Sequence, residues 1–204
     1  MTTGLTPTTF ENLQLNAGVF LKDFVYDTAT SADTLRTMIS AAIKNRTGTL
    51  GATRGGGTFQ CTPETRSIDA DGMRYQFVGS TMIDSWDVRM TGTLLEITPE
   101  NFKDALATAD ITKTGNLTTV RIRTAIQEED YIPTLCWVGD TSKGFVLIEI
   151  YNALSTTGAN FTFTDKGEGT LPFEFVAHQA SLEDQEYAPC KIIFFDDPES
   201  EVGS

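Results

Sequence analysis

The sequence predicts a mainly β protein, an antiparallel β-sandwich or barrel with one short flanking α-helix and a long arm between two strands. Three observations carry this. At least six short segments run apolar on one face or on both, Gly-rich turns separate them, and beyond residue 54 only one stretch has the start signals of a helix. With 204 residues the chain suffices for one core. A single β domain over 13–196 is therefore expected, with a flexible segment at 1–12 before it and an acidic, disordered tail at 197–204 after it.

In chain order, residues 13–24 read as a first strand with Leu13, Leu15, Ala17, Val19 and Leu21 on one face. Gly18 within it marks a bulge or a close backbone approach. Residues 28–54 break the strand pattern and form the arm. Inside it Leu35, Met38, Ile39, Ala42 and Ile43 follow helical spacing, with Ser31 or Asp33 as the cap and residues 45–48 as the stop. A connection of this length between strands is functional or mobile. Gly55, Gly56 and Gly57 at its exit read as its hinge.

Residues 58–68 and 74–78 are expected to pair as a hairpin about Asp69-Ala70-Asp71-Gly72. Trp86, Val88 and Met90 alternate with Asp87, Arg89 and Thr91, a strand with one buried face. Thr98 is a helix cap with Pro99 at the first helical position, and Phe102, Ala105, Leu106 and Ala109 form the inward stripe. Further strands follow at 118–126, 135–138, 145–154, 160–164, 171–178 and 191–195. The run from Phe145 to Ile150 is almost wholly apolar and predicts a strand covered on both faces.

The net charge is −13, so bulk attraction to nucleic acid or to an anionic membrane is not expected. Its distribution is uneven: residues 180–204 are strongly acidic, whereas the arm carries Arg36, Lys44, Arg46 and Arg54 against Asp33 alone. No apolar run is long enough to span a bilayer and the N-terminus lacks a basic, then apolar, leader. Cys61, Cys136 and Cys190 are odd in number and widely spaced, which reads as reduced, buried thiols in a reducing cytosol.

Catalytic chemistry finds little to use. His178 is the only histidine and sits at a strand end, the place of a structural side chain. The glycine triplet lacks the Lys-Ser/Thr of a phosphate loop, and Asp69 to Gly72 lacks the later ligands of a calcium loop. The three Asn-x-Thr sequons, at Asn45, Asn116 and Asn160, read as chance in a chain without a leader. No enzyme activity, cofactor, metal or membrane partner is expected.

The order of parts resembles the major tail proteins, or tail tube proteins, of long-tailed, non-contractile bacteriophages. The likeness rests on Leu13 to Phe20, Gly51 to Phe59, Pro63 to Arg66, Asp71-Gly72, Leu94 to Pro99, Leu171 to Phe175, Ala177-His178 and Pro189. The resemblance implies a β-sandwich or barrel of the phage tail tube type and subunits that close six-membered rings stacked into a hollow tube. It also implies a tape measure protein and a tail terminator as partners, genomic DNA passing through without specific binding, assembly in the host cytoplasm and a place in the virion. On that reading Leu35, Arg36, Met38, Ile39, Ile43, Lys44, Arg46 and Arg54 form an inter-subunit arm that docks on an acidic neighbour. Deleting 31–48 should then leave a folded monomer that cannot polymerise. Asp84, Asp87, Glu96, Glu149 and Glu174 are candidate acids facing the bore, where they repel phosphate. Rival readings are the tube of a contractile tail, of a phage-tail-like bacteriocin or of a type VI secretion apparatus. A carbohydrate-binding β-sandwich using Trp86, Trp137 and Tyr131 as stacking platform is another.

Overall fold

An almost unbroken apolar strand needs cover on both faces, and the chain is arranged to supply it. In the computed structural model, which describes residues 9, 13–27, 30–162, 165–183 and 185–196, the elements are β1 (Val19–Lys22), α1 (Ala32–Asn45), β2 (Thr53–Ser67), β3 (Thr81–Leu94), α2 (Pro99–Leu106), β4 (Ala109–Thr114), β5 (Leu117–Ile122), β6 (Ile132–Thr141), β7 (Gly144–Ser155), β8 (Leu171–Val176) and β9 (Cys190–Asp196). The expected tail at 197–204 lies outside the described residues, as does the segment at 1–12 apart from Thr9. The fold is mainly β, and all strand pairs are antiparallel.

β7 is the axis. It pairs with β6 along one edge and with β9 along the other, then hands its last residues, Leu154 and Ser155, to β8. The sheet therefore runs β1-β6-β7-β8-β3-β2 with β9 added to β7, while β4 and β5 form a separate ribbon. On one face Leu21, Cys136, Val138, Phe145 and Leu147 make a cluster with Leu35 and Ile39 of α1. On the other, Phe20, Leu135 and Ile150 join Val88, Met90, Phe173 and Phe175 from the β3–β8 half. Both faces of β7 are thus buried, as its composition requires.

The half containing β2 crosses over the other half. Gly57 of β2 meets Phe20 of β1, and Phe59 lies with Trp137 of β6 and Ile148 of β7. Cys61 reaches Cys190 of β9. One strand therefore passes across four. The approach is close: a Cβ on Gly57 would lie 2.5 Å from both the Phe20 ring and the Thr91 carbonyl oxygen. Phe20 in turn meets Phe173 edge to face at 5.2 Å.

Of the two cap candidates, Ser31 starts helix α1. Ser31 accepts from the Thr34 amide, and Arg46 ends the helix in the left-handed region at φ 56°. Leu35 and Ile39 are buried against the protein's own sheet. The return leg is pinned along the free edge of β1, with Lys22 donating to the Gly48 carbonyl and Leu50 to that of Phe20. This corrects the expectation of a swinging arm: 28–54 is sewn onto the subunit, because removing the Leu35–Ile39 face would bare a core cluster. Deleting 31–48 is accordingly a core lesion and not a clean assembly lesion.

Several other expectations shift. β2 pairs with β3 and not with 74–78, which form part of a connection at 68–80. The Asp71-Gly72 turn lies inside that connection. The first strand is shorter than 13–24, though Gly18 does make a close approach: a Cβ there would lie 2.3 Å from the Trp137 ring. Helix α2 is capped by Thr98 with Pro99 leading, yet it stops at Leu106, so Ala109 opens β4. Within 160–164 only Thr162 bridges, to Thr170, among the described residues.

Buried Asn101 on α2 donates its amide to the carbonyls of Leu50 and Glu96, both at 2.9 Å, tying three segments together. Asp104 on the same helix pairs with Lys22 at 2.7 Å. Burial raises the Asp104 carboxyl above its ordinary value, against the opposing pull of Lys22.

Gly57→Ala is expected to cost about 1–3 kcal/mol by forcing the crossing apart. An unshifted urea midpoint would contradict the close approach. For Asp104, the folded state holds its proton more tightly than the unfolded chain. Its contribution is present below the ordinary aspartate pKa of about 3.9 and is lost as pH rises through the raised folded value. Urea titrations from acid to neutral pH should show the parent losing ground to Asp104→Asn over that window; parallel pH profiles would contradict this.

Candidate assembly surfaces

β2 and β3 outrun the body. Their apolar alternation continues past the core, so the inward face of the sandwich extends into an overhang. Cys61 opposite Val88 is the last pair over the core, and Pro63–Trp86 and Thr65–Ile83 carry the same face outward. Six residues separate Cys61 from Ser67, or roughly 20 Å of strand. The register slips between Glu64/Ser85 and Thr65/Ile83, leaving Asp84 as a bulge. Trp86 is 44% exposed and Ile83 54%. Ile68, Tyr75, Phe77 and Val78 in the connection at 68–80 are exposed too, as is Met82 on the opposite face of the ribbon. Exposed apolar side chains are therefore concentrated at this end of the ribbon. Alternation predicts a core position for Trp86. The alternation is real, but the strand has left the core behind.

The opposite face of β2, β3 and β8 is polar: Thr58, Gln60 and Thr62 lie beside Asp87, Arg89 and Thr91, with Glu174 next in register. Arg89 reaches Asp87 at 2.6 Å and Glu174 at 2.7 Å. A polar cleft of about 480 Å³ runs over the Gly55–Thr58 backbone and Thr91–Thr93. The glycine triplet lies within β2 itself, with Gly55 and Gly56 at positive φ where the register slips between Thr53 and Gly57. Gly55 and Gly56 thus form an irregular bulge held between the paired positions Thr53 and Gly57.

The remaining expected site residues are placed as follows. Asp84 pairs with Arg66 at 2.7 Å, and Glu96 pairs with Arg46 while accepting from the Ala52 amide. Arg54 meets Glu168 at 2.6 Å. Arg36 lies over the Phe145 ring at 5.4 Å, Met38 is half-buried, and Ile43 and Lys44 are exposed. The basic arm thus engages acids and aromatics of its own subunit.

Glu149 does not face solvent; it is 3% exposed. It sits on the helix-covered face between Cys136 and Lys191 in register. The Tyr151 hydroxyl donates to it at 3.2 Å, Tyr26 also hydrogen-bonds it, and the Cys136 thiol lies 3.9 Å away. Three neutral donors thereby stabilise a buried carboxylate. Burial first, then the Glu149 charge, raise both tyrosines and Cys136 far above their ordinary values. No sequence signal distinguishes this glutamate, because one acid in an apolar run reads equally well as a solvent-facing residue.

Other chemical candidates are occupied structurally. His178 donates from Nδ1 to the Asn152 carbonyl at 3.1 Å and packs edge-on to Tyr131 at 5.2 Å. The Trp137 Nε1–H donates to the Ala17 carbonyl, and its ring lies against the Gly18 and Gly139 backbone. Trp86, Trp137 and Tyr131 are therefore held in three different settings, not as one stacking platform. Among the described residues no group of three side chains suits a metal ion, and no helix is long and apolar enough to cross a membrane. No family model matches the chain. No curated protein is significantly similar to it.

Because the folded state holds the Tyr26 and Tyr151 protons more tightly than the unfolded chain, their contribution to stability is lost above the ordinary tyrosine pKa of about 10. Glu149→Gln removes the charge but not the burial, so it should partly restore stability at alkaline pH relative to the parent. Identical alkaline unfolding profiles would rule out the Glu149 network.

Proposed function

We propose that this chain is a structural subunit that associates with copies of itself into six-membered rings stacked as a hollow tube, the tail tube of a long-tailed bacteriophage. One observation carries the reading: a paired ribbon that leaves its own core with an apolar face and no cover. A monomer gains nothing from Trp86 and Ile83 in water, whereas a second copy laid against them buries that face, at about 1.5–3 kcal/mol per large side chain. Among the described residues the outer edges of β2 and β9 pair with no further strand, and open edges of this kind suit copies that must join side to side.

The charge pattern supports a conduit for DNA. A chain of net charge −13 gives phosphate no broad basic surface to bind. On the polar face of β2, β3 and β8, Asp87 and Glu174 share the single cation of Arg89, which leaves that face net acidic. The tape measure and terminator proteins, the virion location and assembly in the host cytoplasm belong to the same proposal and rest on the resemblance of the sequence.

Electron microscopy of the concentrated protein tests it. Hollow tubes with sixfold end views are expected from the parent. Trp86→Glu with Ile83→Glu should leave a folded chain that elutes as a monomer and forms no tubes. Parent protein that stays monomeric at high concentration, or a double variant that assembles like the parent, would overturn the reading.

A further inference from the structure

Along the chain the three cysteines read as separate buried thiols, and the fold brings two of them together. Cys61 faces inward on β2 opposite Val88, and Cys190 faces inward at the start of β9 opposite Ile150. Val88 and Ile150 belong to one core cluster, and both cysteines pack against it from opposed sheets. Cys61 lies close enough to Cys190 to raise its thiol. Both are half-buried and therefore within reach of a small reagent, whereas Cys136 is fully buried beside Glu149.

We propose that Cys61 and Cys190 are a disulfide-forming pair, an oxidation site at which a small-molecule disulfide of the glutathione class staples β2 to β9 across the crossing of the two sheets. One thiolate attacks the sulfur–sulfur bond of the oxidant, releasing one thiolate and leaving a mixed disulfide on the protein. The second cysteine, having lost its proton, attacks that protein sulfur and expels the second small thiol. Two protein thiols are oxidised, two protons leave, and the oxidant takes up two electrons. The covalent link closes the chain between residues 61 and 190 and restrains the unfolded state, as an inter-sheet bridge does in other sandwiches. Burial and the neighbouring Cys61 push the Cys190 thiol up to about 11. Thiolate is then scarce at neutral pH, so the bridge forms slowly there and faster in alkali.

The experiment uses the purified, fully reduced chain exposed to oxidised glutathione, with thiols counted by alkylation after denaturation. The expected result is loss of two of the three alkylatable thiols, a linked Cys61–Cys190 peptide, faster monomer mobility on a non-reducing gel and a higher Tm that reductant reverses. Cys61→Ser and Cys190→Ser should each abolish the linked peptide, and Cys136→Ser should leave it intact. Three thiols still free after prolonged exposure, persistent glutathione adducts, or cross-linked dimers would overturn the assignment. The readouts concern the isolated subunit, so they stand or fall independently of tube formation.

Discussion

The structure depends on a side chain that is absent. Where β2 passes over β1, Gly57 lets its backbone settle on the Phe20 ring and keeps its place opposite Gly92 in the β3 ladder. Close packing at this point lets Phe20 meet Phe173 and lets Phe59 reach Trp137 and Ile148. It also sets the line along which β2 continues. Because the strand crosses β1, β6, β7 and β9 in turn, its far half can only emerge beyond the last of them. The overhang is a geometric result of the crossing and needs no separate signal.

That geometry explains which parts are legible in the sequence. Strand identity is legible where burial is local: Phe145 to Ile150 reads as doubly covered and is so, α2 begins at Thr98 as its cap announces, and α1 takes Ser31 of its two candidate caps. What periodicity cannot encode is what lies opposite a face. Trp86, Val88 and Met90 alternate identically, yet two are covered and one is not. The same blindness hides Glu149, whose partners Tyr26 and Cys136 come from elsewhere in the chain, and it makes the helix of 28–54 look like an outward arm. The apolar stripe of that helix is plain in the sequence, but the surface it covers is its own. The Cys61–Cys190 neighbourhood is equally invisible, since spacing along the chain carries no record of a crossing between sheets.

Charge is organised by the same logic. Most of the acids weighed as lining for a channel meet a base within their own subunit, as Asp84 does with Arg66 and Glu96 with Arg46. Exposed pairs of this kind contribute little to stability; their effect is to flatten the local field while the surplus of acid over base persists across the whole chain. A face such as that of Asp87, Arg89 and Glu174 is therefore hydrated and mildly repulsive to phosphate, with no isolated cation to hold it.

The pairing of β1 with β6 has a consequence for how the chain is made. Val19 finds its partner in Val138, and β7 receives β9 only from the final stretch of the described chain. During synthesis from the N-terminus, β1 and α1 therefore emerge long before the strands that cover them, while the β2–β3 ribbon can close at once. Topologies dominated by such distant pairings fold slowly and expose sticky intermediates. The ribbon is thus the first part of the sheet able to form, and its overhanging apolar face is open throughout folding. A chain released early would carry β1 and α1 without their cover until β6 and β7 have formed.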